Sequence, residues 1–357
     1  MLTFKDFLRD PQLLEATLIS KKWKVTDLDV KKAIDFLNKN CKDGLKAIAN
    51  DGVLFRGFKS APANMNTMVM IDSTKALRTS RDSNNLYQLM FDTSESMADV
   101  PSRSSSFICS TSKFTASEIS SNVYAMIPVD NTMVAVSSVP DVFSVKMPAE
   151  WAWDSDYLPG VEDFCTSLED FFLCFAKPKS GKFTDSNALN SAMAKFTPEE
   201  ILVIHSVIRP ESDLELKNPS EEDAFMFQDL IDRITPNSVR SGNAKIIANI
   251  SHIAKKYIAT GKFEKTSTNA KSLLSILRSN PSKPFTALSN YAADKPRLKI
   301  TTVKFGQKVE YDKECWFTGK CVAIPIDLFI EIAQEMYDLG IPVGNRTINY
   351  CDVYTGK

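Results

Sequence analysis

Short β-type segments recur between about residues 53 and 136, vanish, and return near residue 298. That interruption constrains the fold more than any single motif does. Runs rich in β-branched and aromatic residues between turn signals read as strands. They are Val53-Leu54-Phe55, Met68–Ile71, Ser106–Cys109 running into Ser110, Val123–Pro128, and Met133–Val136 after the turn Val129-Asp130-Asn131-Thr132. A second group covers 298–305 and 314–326. Between the groups, 185–280 follows helical spacing. Thr197-Pro198-Glu199-Glu200 and Pro219-Ser220-Glu221-Glu222 read as helix starts. Proline suits a first turn whose N–H groups have no partner, and acids suit the positive end of the helix dipole. Pro281, Pro284 and Pro296 punctuate the exit.

Residues 1–50 read as helices. Phe4, Phe7, Leu8, Leu13 and Leu14, then Val30, Ala33, Ile34 and Leu37, fall at helical spacing. Residues 59–100 read as mostly loop, and Leu328–Tyr337 as a closing amphipathic helix. The expected class is α+β. The expected layout is a helical cap over 1–50, the first half of a β-rich core over 51–150, a helical insertion over 151–295, and the closing half with a C-terminal helix over 296–357. A chain of 357 residues has room for this at roughly 150 residues per domain.

Charge is balanced, with 43 Lys and Arg against 44 Asp and Glu. No basic footprint remains for direct nucleic-acid binding. Acids and bases break up the apolar pattern of the first residues, so no signal peptide is read there. No apolar run reaches the roughly 18 residues of a membrane span, so no membrane partner is expected. The seven cysteines form no CxxC pair and the histidines are His205 and His252 alone, so no metal is expected. The cysteines read as reduced and mostly buried.

Three segments carry chemistry. In Leu54-Phe55-Arg56-Gly57, an arginine ends a short strand, and its bidentate fork suits a diphosphate. Gly57 permits a close backbone approach. In Phe107-Ile108-Cys109-Ser110-Thr111-Ser112, a strand ends in three hydroxyls that can meet an amide or a ribose. In Asp312-Lys313-Glu314, two acids one residue apart face the same side of an extended segment. Taken singly, each is an ordinary surface arginine, a Ser/Thr turn, or a charged strand entrance. His205 reads as a packing histidine, Trp151-Ala152-Trp153 as a packing cluster, and Arg78, Arg81 and Arg103 as loop charges, with holding an anionic cofactor or acceptor as their alternative. Tyr87 or Phe114 offers a ring for stacking or for the core.

The order of the three segments resembles the Arg–Ser–Glu arrangement of mono-ADP-ribosyltransferases. Val123-Tyr124-Ala125-Met126-Ile127-Pro128-Val129-Asp130 resembles the strand, proline and turn that come next in that fold. Pro101-Ser102-Arg103-Ser104-Ser105-Ser106-Phe107-Ile108-Cys109-Ser110 resembles ADP-ribosyltransferase-like proteins of T4-type tailed phages, and Met1-Leu2-Thr3-Phe4-Lys5-Asp6-Phe7-Leu8 resembles the opening of other proteins of those phages. The resemblance covers roughly 50–145 and 298–327.

The resemblance implies a split β-sandwich core and NAD as a substrate. Arg56 and Gly57 would hold the NAD phosphates or ribose. Ser110, Thr111 and Ser112 would support the nicotinamide half and the catalytic glutamate. Glu314 would bind the ribose hydroxyl and stabilise an oxocarbenium-like transition state. Asp312 would orient or deprotonate the acceptor. The acceptor would be a host protein modified in the host cytoplasm, with packaging in the virion as one route of delivery. Two departures stand: Asp-x-Glu replaces the Glu-x-Glu of arginine-directed members, and the long separation of Ser112 from Glu314 requires the insertion. Glu162 or Glu169, at a more usual distance, competes with Glu314. A catalytically degenerate virion-associated or host-binding protein, and an NAD glycohydrolase, are the alternative functions.

Overall fold

A computed structural model describes residues 19–24, 30–59, 67–75, 78, 85–142, 145, 171–178, 181–198, 200, 201, 204, 268–347 and 349. The chain is α+β and divides into two compact units. The first comprises Met1–Arg78, Ala98–Val142 and Lys295–Lys357; the second comprises Thr79–Met97 and Phe143–Asp294. The pattern break in the sequence lies at 151 and 295. The units divide at 142/143 and 294/295, and the second also takes residues 79–97.

The first unit runs β1 (Ile19–Lys24), α1 (Val30–Asn40), α2 (Lys42–Ala49), β2 (Leu54–Gly57), β3 (Thr67–Asp72), β4 (Ser106–Ser110), α3 (Lys113–Ile119), β5 (Val123–Pro128), β6 (Met133–Val136), β7 (Thr301–Lys304), β8 (Glu314–Thr318), β9 (Lys320–Pro325) and α4 (Ile326–Asp338). The strands form one nine-stranded sheet in the order β1-β3-β9-β5-β2-β4-β8-β6-β7, with every neighbouring pair antiparallel.

The sheet cannot be flat. Gly319 alone joins β8 to β9, yet β5, β2 and β4 lie between these strands in the sheet. Four strand spacings span roughly 19 Å in a flat sheet, whereas two Cα steps reach under about 8 Å. The sheet therefore folds over, and Gly319 makes the crossing at a left-handed φ of 115°. The Val129–Thr132 turn makes a parallel crossing from β5 to β6, with Asn131 at φ 66°. The ladder is thinnest between β2 and β4. Among the described residues, β2 and β4 share the single pair Phe55↔Ser110, against four pairs for β2–β5 and five for β4–β8.

The core lies around β5 and β9, whose residues Ala125, Met126, Ile127, Val322, Ala323 and Ile324 are buried. Ala33, Ile34 and Leu37 of α1 and Leu328, Phe329, Ile332 and Met336 of α4 close on it. Phe329 meets Phe55 edge-on at 6.3 Å. Truncating such a buried ring costs about 3–5 kcal/mol.

Several expectations are corrected. Residues 19–24 are a strand, because β3 offers an open ladder edge and non-local pairing overrides local propensity. The apolar residues of 4–14 lie outside the described residues. Lys295–Leu298 is a helical turn and Lys299 takes φ 49°, so the strand expected from 298 begins at Thr301. Pro284 opens the helix Pro284–Ala292 instead of ending one. Within 59–100, Leu86–Thr93 is helical. The second unit shows helices Ser186–Met193 and Thr268–Ser279 within 185–280. Its aromatic contacts include Phe172 with Phe285 at 5.4 Å and Phe171 with Phe175 at 5.1 Å. Among the described residues no helix is long and apolar enough to cross a membrane.

Candidate functional site

Arg56, Ser110 and Glu314 fall on β2, β4 and β8, three consecutive strands of the sheet. The register runs Phe55↔Ser110↔Glu314. Thr111 N–H donates to the Lys313 carbonyl at 3.0 Å, so the odd-numbered residues of β4 exchange backbone bonds with β8. Ser110 and Glu314 thus form a non-hydrogen-bonded pair, where Cα atoms stand only about 4.5 Å apart and side chains project together. Both side chains are buried.

Arg56 leaves β2 on the opposite side. Phe55 is the residue in register with Ser110, and successive side chains alternate. The Arg56 guanidinium lies over the Phe58 ring at 5.0 Å. Its Nη1 donates to the Ile108 carbonyl at 2.6 Å. That carbonyl faces β2 where the β2–β4 ladder does not extend, and a buried backbone acceptor needs a partner. Arg56 therefore stitches the thin point of the sheet. The backbone approaching Gly57 is that of α3: a Cβ there would run into the Ala116 carbonyl and come within 2.9 Å of Ser120 N.

The three hydroxyls have local work. Ser110 Oγ accepts from Ser112 N–H at 3.0 Å. Thr111 Oγ1 donates to the Glu310 carbonyl and accepts from Lys313 N–H, at 2.8 and 2.9 Å. Ser112 caps α3 by accepting from Thr115 N–H, and its hydroxyl donates to the Tyr311 hydroxyl at 3.0 Å. The Ser110–Ser112 segment and the Glu310–Lys313 segment are thereby tied together.

Asp312 corrects the same-face expectation. It takes φ 56°, outside the extended region, and β8 begins only at Glu314. Its carboxylate accepts from Thr115 Oγ1 at 2.6 Å, which places it toward α3.

Glu314 holds two strong bonds. Arg103 Nη1 donates to Oε1 at 2.6 Å, and Val142 N–H donates to Oε2 at 2.6 Å. Glu314 is 5% exposed and Arg103 3%. Arg103 is therefore not a loop charge: it sits in the 3-10 turn Arg103–Ser105, with its guanidinium 4.9 Å from the Trp316 ring centroid. A carboxylate offers about four lone-pair sites, and among the described residues these two donors hydrogen-bond the Glu314 carboxylate. Arg78 is described and half-buried; Arg81 lies outside the described residues.

Cys109 lies on β4 next to Ser110. Burial pushes its thiol up to about 12, with Arg56 and Arg78 acting against that and Glu314 adding to it. Cys41, Cys109, Cys174, Cys315 and Cys321 are all buried. Among the described residues no group of three or more His, Cys, Asp or Glu is placed to hold a metal ion. Tyr87 packs in the second unit, edge-on to Phe91 at 5.1 Å. Phe114 is 64% exposed beside the Ser112 cap, with the Lys113 ammonium 5.7 Å from its ring. Glu162, Glu169, His205, Trp151 and Trp153 lie outside the described residues. Sequence patterns missed Arg103 and the Val142 N–H. The one signal available was the alternation Glu314, Trp316, Thr318, which places three residues on one face of β8.

No protein-family model matches the sequence, and neither a curated protein nor a solved structure matches the chain.

Proposed function

We propose that the protein is an NAD-dependent protein mono-ADP-ribosyltransferase, phage-encoded and acting on host proteins, with Glu314 as the catalytic carboxylate. One observation carries the proposal: Ser110 and Glu314 face each other across the close pair of β4 and β8, beside the strand that bears Arg56. A hydroxyl in that position orients a glutamate toward a bound ribose. The folded-over sheet, thin at the β2–β4 pair, supports a split β-sandwich of the ADP-ribosyltransferase kind. Each carboxylate oxygen of Glu314 can accept more than one hydrogen bond, which suits a ribose hydroxyl. Arg56 holds the NAD phosphates with its planar fork, and Asp312, tied to α3, serves the acceptor.

A second function, a catalytically degenerate host-binding protein, is favoured by two observations. Arg56 departs from the face opposite Glu314, and both Glu314 oxygens already carry a hydrogen bond. The experiment is incubation of the protein with adenylate-labelled NAD and a host lysate, beside a lysate-free reaction read as nicotinamide release. Labelled lysate protein is the expected result. Nicotinamide release with no labelled protein indicates a glycohydrolase. No NAD binding by calorimetry overturns the proposal in favour of the degenerate protein.

A further inference from the structure

Glu314, Trp316 and Thr318 occupy one face of β8 by strand alternation, and all three receive the segment that precedes β4. The Trp316 indole N–H donates to the Pro101 carbonyl at 2.7 Å. Thr318 Oγ1 and Ser106 Oγ are 2.9 Å apart, and Ser106 Oγ donates to the Ser102 carbonyl at 2.6 Å. These contacts clamp 101–106 across the strand, so the intervening turn presents Arg103 to Glu314 at 2.6 Å. The guanidinium carbon also lies over the Trp316 ring, 4.9 Å from its centroid. The opposite carboxylate oxygen is fixed by Val142 N–H. Two donors from segments remote in sequence thus leave Glu314 one orientation.

A glutamate carboxyl turns freely about its last bond unless held, and a buried carboxylate keeps its charge only when it is paired. We infer that Arg103 is a positioning residue: it holds the Glu314 carboxylate in a single orientation, with its oxygens presented to the substrate ribose. This rests on the transferase activity proposed above. Arg103 donates to the glutamate and not to NAD, so it acts on turnover and leaves NAD affinity alone. Differential stabilisation of the transition state raises turnover, whereas uniform binding does not.

The test compares unmutated protein with Arg103→Met and Arg103→Lys. NAD sites are counted by calorimetry, and nicotinamide release is expressed per NAD site. That normalisation removes a merely structural effect, which lowers the number of sites without changing turnover at each. Arg103→Met is expected to cut turnover per site by at least about tenfold, on the scale of one lost electrostatic contact, with NAD KM within about twofold. Arg103→Lys restores charge without the planar fork and is expected to recover part of the turnover. If Arg103→Met does not fold, Arg103→Lys decides alone: turnover per site equal to the unmutated protein overturns the inference. A rise in NAD KM with unchanged turnover also overturns it. Unmutated protein that binds NAD but releases no nicotinamide, or binds none, overturns the transferase proposal and this inference together.

Discussion

Arg103 donates to Glu314 at 2.6 Å across 211 positions of sequence, and both side chains are buried. Taking two charges out of water is costly, so such a pair is not evidence of net stability. Its consequence is conditional: with either partner removed, the other is left as a buried, uncompensated charge.

Arg103→Met is therefore expected to destabilise the protein by about 3–5 kcal/mol. The double variant Arg103→Met/Glu314→Gln is expected to lose clearly less than the sum of the two single changes. Urea titration of the four proteins measures the coupling. Strict additivity would show that the two residues act independently in solution.

Arg56 bonds the Ile108 carbonyl and carries the proposed NAD contact, and two measurements separate these. Arg56→Ala leaves the Ile108 carbonyl without its donor and is expected to cost about 1–3 kcal/mol. It is also expected to weaken NAD binding more than Arg56→Lys, because lysine keeps the charge but loses the planar fork. Calorimetric titration reads the affinity. Equal NAD affinity in all three proteins removes Arg56 from the NAD site while leaving its structural role intact.

Cleavage of nicotinamide from ribose builds positive charge on the sugar. Glu314→Gln keeps the shape and removes the opposing charge. NAD affinity is expected to hold while nicotinamide release falls on the order of 100-fold. Asp312→Asn is expected to reduce transfer to protein while slow hydrolysis of NAD persists. Both variants are assayed for nicotinamide release and protein labelling side by side. Full release by Glu314→Gln would move the catalytic role to Glu162 or Glu169.

Asp43 supplies a pH-dependent anchor. It is 4% exposed and accepts from Asn131 N–H at 2.9 Å, with Lys46 at 3.1 Å and Lys304 at 3.4 Å. The Asn131 backbone bond, aided by both lysines and opposed by burial, holds its carboxyl below the usual range. A depressed folded-state value means stability that is present above the ordinary aspartate range and is lost as pH falls through the lower folded value. Asp43→Asn is expected to cost about 2 kcal/mol at pH 7, and the gap should close as the pH is taken down through that window. Thermal unfolding at a series of pH values follows it. A gap independent of pH would show that charge is not what Asp43 contributes.

Cys109 carries its thiol near 12 because burial penalises the thiolate, and the thiolate is the reactive form. Alkylation at pH 8 followed by peptide mapping is expected to leave Cys109 unmodified in folded protein and to label it fully in denaturant. Rapid labelling under native conditions would mean that β4 opens locally.

Elements whose pattern is short-range were legible in the sequence. Val123–Pro128, Met133–Val136 and the turn between them stand where apolar runs and turn residues put them. The closing helix is two residues longer at its start and one at its end than its spacing indicated. Ser110 and Glu314 could be named as candidates from strand-end context alone. Tertiary structure decided the rest. Residues 19–24 became a strand because β3 offered a ladder edge. Asp312 left the face of Glu314 because its backbone took φ 56° beside Thr115. Arg103, written among serines like a surface charge, became the buried partner of Glu314 because Trp316 and Thr318 clamp its segment onto β8. Periodicity and turn chemistry act over a few residues and can be read from the chain. Cross-strand register and the pairing of buried charges depend on which distant segments share a face, and that is fixed only when the sheet folds over.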